Sequence, residues 1–204
     1  MPSAKEQTAQ ALRQYAAPTA VVALVASAIA VLMWLTGGFA RANPNHGLVT
    51  DVTIFVGLIG FAIFTACLVI IDFAHHLLPH IIMIPATIWV LLVMLLVWVT
   101  GGDGDAVLWG LMAGLAVGLV LFGLALLPHA GLGGGDVKLA ALLTAVVGWL
   151  NPPALFGALM VAVFGSGVFA LTLMMSNRAT AASAVPLGPF LVAGAWIGLA
   201  LGLL

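Results

Sequence analysis

Two stretches of this chain place titratable side chains beside long apolar runs. "GLGGGDVKLA" (131–140) carries Asp136 and Lys138, and "IDFAHHLLPH" (71–80) carries Asp72, His75, His76 and His80. The whole chain has only five Lys or Arg and six Asp or Glu among 204 residues. Acids beside hydrocarbon are costly and usually face a bundle interior or a wet cavity, where they have a task. Two carboxyls that approach closely cannot both ionise cheaply, so the pair shares a proton. The ionised member can then activate a water while the protonated member polarises a carbonyl, and the titration belongs to the pair. Gly131, Gly133, Gly134 and Gly135 would let backbone approach closely and adopt φ > 0, so that an extended substrate or a partner helix lies against the loop. The plainer alternative makes Asp136 a dipole-friendly residue near a helix N-terminus after a flexible loop.

The elements that must position these acids follow from composition. Hydrophobic residues make up 64% of the chain and charged ones 5%, with a mean hydropathy of +1.30. A soluble domain is about 25% charged, so this is an integral membrane protein. No basic cluster is present to neutralise nucleic-acid phosphates. One cysteine, Cys67, excludes an intramolecular disulfide or a CxxC zinc knuckle and reads as a small apolar residue.

Apolar runs of about 20 residues predict spans near 18–36, 52–72, 81–99, 106–127, 137–150, 154–175 and 188–204. The fold class is therefore an all-α polytopic membrane bundle of about seven spans. Residues 1–17 form a polar lead segment with a possible short interfacial helix, and 18–204 form a single transmembrane domain. The first span reads as uncleaved, because the run is longer than a signal-peptide h-region and has no A-x-A-like exit. The fifth span, at 14 residues, reaches only about 21 Å and must pack inside the bundle. With the N-terminus cytoplasmic, Lys5, Arg13, Lys138 and Arg178 fall inside and Arg41 alone outside, which satisfies the positive-inside rule. Asp72 then ends span two and Asp136 begins span five at the same, cytoplasmic face, whereas Asp51, Asp103 and Asp105 lie across the bilayer.

Three motifs resemble those of the prepilin (type IV leader) peptidases. "GLGGGDVKLAALL" resembles their GxGD signature, with Gly133, Gly134, Gly135 and Asp136 followed by Lys138. "IDFAHHLLPHIIMIP" is similar to their first aspartate segment, here Asp72, Pro79 and Pro85. "VPLGPFLVAGAW" looks like their Pro-x-Gly-Pro-Phe start of a late helix, here Pro186, Gly188 and Pro189. The resemblance implies an aspartyl endopeptidase of the inner (cytoplasmic) membrane, with Asp72 and Asp136 catalytic. Gly133, Gly134, Gly135, Lys138, Pro79, Pro186, Gly188 and Pro189 would bind substrate or shape loops. The implied partner is a prepilin or pseudopilin whose short basic leader precedes an apolar helix, cut after a Gly, in type IV pilus assembly or protein secretion. Water is the nucleophile, so no cofactor is implied. The chain departs from bifunctional relatives in lacking their paired CxxC motifs, which makes methyl transfer unlikely, and it carries His80 where many relatives have an acidic or Asn residue.

Asp72, His76 and His80 share one face if the helix is continuous, and could then hold a transition metal. Pro79 argues against that continuity, so the expectation is no metal, with His75, His76 and His80 tuning the acids. Lys138 is expected to snorkel to the interface. "GGDGD" (101–105) lacks the ligands of a calcium loop and reads as a solvated turn. The six tryptophans read as an aromatic belt, and Gly114 with Gly118 as a close-packing G-x-x-x-G pair. The rival reading is a small proton-coupled transporter with Asp72 and Asp136 as a relay, and a non-catalytic scaffold of a secretion system is a third.

The charge asymmetry yields a topological expectation. A cysteine placed at Leu132 or Ser183 should react with membrane-impermeant reagents only after the cytoplasmic side is opened, and one at Asp103 should label in intact cells. The opposite pattern would put the acids on the wrong face.

Overall fold

In the computed structural model, residues 16–35, 47–75, 78–127, 132–175 and 187–201 are described. They form seven α-helices: α1 (Ala16–Leu35), α2 (Leu48–His75), α3 (His80–Val99), α4 (Gly104–Ala125), α5 (Gly134–Leu150), α6 (Leu155–Met175) and α7 (Gly188–Leu201), with a 3₁₀ turn, Pro152–Ala154, before α6. No strand occurs among the described residues. Five segments are long and apolar enough to cross a membrane: Pro18–Leu35, Leu48–Phe73, His80–Val99, Gly104–Ala125 and Pro152–Met175. The predicted lead-segment helix lies outside the described residues.

The short helices are the inner ones. From Val137 to Leu150 α5 is buried almost all the way round, and α7 buries Leu191, Val192, Ala195, Trp196 and Leu199. In contrast, α4 buries only Val107, Gly110 and Gly114, and α6 only Ala158 and Ala162. A helix apolar all round must be enclosed or lipid-facing. Here length divides the two cases, because an enclosed helix need not match the bilayer. α7 packs against both α2 and α5, while α1 lies on α2, α4 on α5 and α6 on α7.

Helices in an apolar solvent gain little from burying more apolar surface, so they associate through close approach at small residues. On α4, a Cβ added at Gly110 would lie 2.6 Å from the Ala145 carbonyl oxygen, and one at Gly114 2.6 Å from that of Ala141. At Gly118 the nearest neighbour would be the Ala141 Cβ at 3.0 Å. The expected G-x-x-x-G contact thus extends one turn further, to Gly110. Gly194 of α7 meets the Ala158 carbonyl of α6 in the same way.

At the end remote from Asp72 and Asp136, the Thr50 hydroxyl bonds Thr100 Oγ1 (3.3 Å) and the Asn151 side-chain amide donates to Gly198 O (2.8 Å). The "GGDGD" stretch is more ordered than a solvated turn. The Gly101 and Gly102 amides close α3 onto Trp98 O and Val97 O, with Gly101 at φ +90°. That is a Schellman end, which needs a residue tolerant of positive φ. Asp103 then caps α4, accepting from the Asp105 and Ala106 amides at 2.9 and 3.2 Å. The belt expectation is compatible with Trp34, Trp98 and Trp109, which are exposed. It fails for the other three: Trp149 and Trp196 are buried, and Trp89 seats its ring in the notch at Gly60 and donates to Gly57 O. Tertiary contacts claim these residues: a glycine notch at Gly60 holds the Trp89 ring, Gly110 closes on Trp149 Cβ, and Trp196 bonds Thr65 and lies beside Phe61.

Gly114→Ala should destabilise the bundle by about 1–3 kcal/mol through overpacking against α5. Gly123→Ala, on the same helix with nothing within 4 Å of its Cβ position, should be neutral or slightly stabilising, since Gly costs a helix about 0.5–1 kcal/mol relative to Ala. Thermal unfolding of both variants in detergent distinguishes them, and equal melting would remove the close-approach argument.

Candidate active site

Asp72 lies in the last turn of α2 and is only 4% exposed. Its Oδ2 accepts a hydrogen bond from the Gly188 amide at 3.1 Å. The first N–H groups of a helix have no intrahelical partner, and Gly188 is the first residue of α7. The start of α7 therefore presents a free donor and the positive end of its dipole to a carboxyl. Pro189 follows in the first turn, where its missing N–H costs nothing. Glycine at 188 is a spatial requirement. A Cβ there would sit 2.6 Å from Asp72 Oδ2 and 3.4 Å from Leu139 Cδ2.

Leu139 is one turn along α5 from Asp136, so the same glycine also faces the second acid's helix. Asp136 occupies the third position of α5, after the N-cap Gly133. Its carboxylate folds back to hydrogen-bond the Gly133 backbone, and it lies within electrostatic reach of Asp72. A carboxylate three residues after the N-cap that reaches back to the cap amide is one half of a capping box. The plainer reading of Asp136, a carboxyl near a helix N-terminus, fits its local geometry, and local structure aims this half-buried side chain at its own loop.

The glycines serve space, not unusual dihedrals. Gly101 is the described glycine with positive φ, so the expected φ > 0 at 133, 134 and 135 is not used; Gly131 lies outside the described residues. Gly133 has φ −72°, and a Cβ on it would stand 3.2 Å from Asp136 Oδ2. Gly135 is filled by Leu78, whose Cβ would be 2.8 Å from any added methyl, whereas Gly134 is open. Leu78 escaped the sequence reading. Its signal was a large apolar residue directly before Pro79, in a connection otherwise carrying histidines.

Pro79 is the N-cap of α3, extended at φ −69° and ψ 130°. Leu78 and Pro79 lie between α2 and α3 outside any helix, so no continuous helix carries both Asp72 and His80. His80 is exposed at the head of α3. His76, His129 and Pro186 lie outside the described residues, as does the side chain of His75. Lys138 is exposed and makes no ion pair among the described residues, consistent with a snorkelling role. Asp103 and Asp105 sit at the opposite end of the bundle from the paired acids.

Fold and site define a class: a multi-pass helical membrane protein with an acid on a long helix, α2, and another on an inner helix, α5, at one end of the bundle. The model of the type IV leader peptidase family matches residues 58–175, more than half of the chain and including both Asp72 and Asp136. The chain belongs to that peptidase family. It is 34% identical over 143 residues to the leader peptidase HopD of Escherichia coli, covering 67% of this chain and 90% of that protein. No solved structure matches it.

Gly188→Ala should reduce peptidase activity by about 100-fold, the order expected when a reacting group is displaced by about 1 Å. Gly134→Ala, which meets nothing, should stay within about twofold of the parent. Comparing initial cleavage rates at equal amounts of folded membrane protein checks both.

Proposed function

We propose that this chain is an aspartyl endopeptidase that removes the short basic leader of type IV prepilin-like proteins at the cytoplasmic face of the inner membrane. The observation that carries the reading is that Asp72, held by the first amide of α7, and Asp136 lie close enough to interact electrostatically. In this reading one carboxylate takes a proton from water as the oxygen attacks the scissile carbonyl carbon. The other carboxylic acid gives its proton to the carbonyl oxygen. The carboxylate then takes a proton from a hydroxyl of the tetrahedral diol as the C=O re-forms and the C–N bond breaks, and the other carboxyl gives its proton to the leaving amine. Each turn returns one proton to the pair, so the dyad is regenerated without a cofactor. The N-terminus is cytoplasmic, as the basic residues imply. The substrate's apolar helix stays in the bilayer while its leader junction reaches the two acids. The single cysteine and the absence of a CxxC pair support cleavage without methylation.

Asp72→Asn and Asp136→Asn should each abolish leader removal while the protein still inserts and accumulates. Asp103→Asn should cleave normally, because Asn is as good a helix cap as Asp and the site is remote. The assay is co-expression with a prepilin, read by gel mobility and by mass spectrometry of the new N-terminus. Near-normal cleavage by either site variant would refute the dyad. Abolition by EDTA would point to a metal instead, and an added methyl group would overturn the peptidase-only reading.

A further inference from the structure

An open groove of about 670 Å³ runs between α3, α4 and α5. Its walls are apolar, among them Met83 and Leu91 of α3, Leu111 and Leu115 of α4 and Ala141 of α5, and one end is marked by His80 and Lys138. Successive residues of an α-helix are about 100° apart, so Asp136 and Lys138 leave α5 on nearly opposite sides. Val137, Ala141 and Ala145 line the groove, whereas Leu139 faces Gly188 and Asp72. The groove is therefore separated from the acids by the body of α5.

Its length and its basic end select the occupant. The lining residues of α3 run from His80 to Met94, about 21 Å along the axis, which exceeds the ~15 Å depth of one leaflet's hydrocarbon. An acyl chain is thin enough to lie within it. Lys138 is the one Lys or Arg among the described residues, it is exposed, and it stands where a chain in the groove would end. His80 adds a ring N–H at the same level. We propose that this groove binds an anionic glycerophospholipid, with an acyl chain between α3, α4 and α5 and its phosphate at Lys138 and His80. Basic pockets between membrane helices recognise anionic headgroups in this way. The proposal does not rest on the peptidase reading, and its readout is lipid retention, not cleavage.

The test is native mass spectrometry of the purified full chain released from detergent with phosphatidylglycerol and phosphatidylcholine of identical acyl chains. One lipid should be retained, with phosphatidylglycerol favoured about fivefold, the factor expected for one basic side chain near an anionic headgroup at about 1 kcal/mol. Lys138→Gln with His80→Gln, both at exposed positions, should lose the preference, and Lys138→Arg should keep it. Thr87→Trp, from a wall residue, should displace the lipid while leaving the cations intact. On the unaltered protein, phosphatidylglycerol with a photoreactive acyl chain should label α3 to α5. Equal retention of both lipids, labelling confined to other helices, or a photoreactive group at Leu115 capturing a substrate's apolar helix in place of lipid would each overturn it.

Discussion

A carboxyl group buried in a helical bundle must find hydrogen-bond donors, because an unsatisfied polar group there costs several kcal/mol. Asp72 meets that requirement partly through the Gly188 amide, and much of the architecture follows. The donor must be one that a helix does not use internally, so α7 has to begin at the level of Asp72. Its first residue must be glycine for the oxygen to approach. Because α7 also packs on α5, fixing its start beside α2 sets where Asp136 stands relative to Asp72.

The rest of the packing keeps that trio in register. Trp196 of α7 donates to Thr65 Oγ1 of α2 at 3.2 Å, and its ring lies 5.6 Å from that of Phe61. At the far end Asn151 ties the close of α5 to Gly198 of α7. These are few polar contacts, yet they join the three helices that carry the site and its first amide. The outer helices contribute through glycine-lined approach to α5 and α7, and their remaining surfaces are apolar and exposed. Such a division lets the enclosed helices hold fixed positions beside α2 while the long ones match the bilayer.

The same logic separates the acids. Asp103 has its carboxylate engaged by two amides at the start of α4. Asp136 spans both roles, reaching back to Gly133 yet lying close enough to feel Asp72. A helix N-terminus is a good place for a reactive carboxyl, because the fold stabilises it for structural reasons whether or not a second acid arrives. The break at Pro79 has the opposite effect on the histidines, turning His80 onto a new helix and toward the groove.

The sequence by itself determined the membrane class, the approximate spans and the short fifth span, because each rests on composition or on local spacing along one helix. Hydrocarbon demands long apolar runs, and a 14-residue run demands enclosure. Motif resemblance added the family before any fold was known. Only the tertiary structure decided what the glycines are for: the gap at Gly188 belongs to Asp72, and the gap at Gly135 to Leu78. It also moved Trp89, Trp149 and Trp196 from an interface belt into helix contacts, and it revealed a groove on the far side of α5 from the acids. Those outcomes depend on which helix faces lie opposite one another. Periodicity along one helix specifies its own faces but not the neighbour across the gap, and glycine leaves no side chain from which to read its partner.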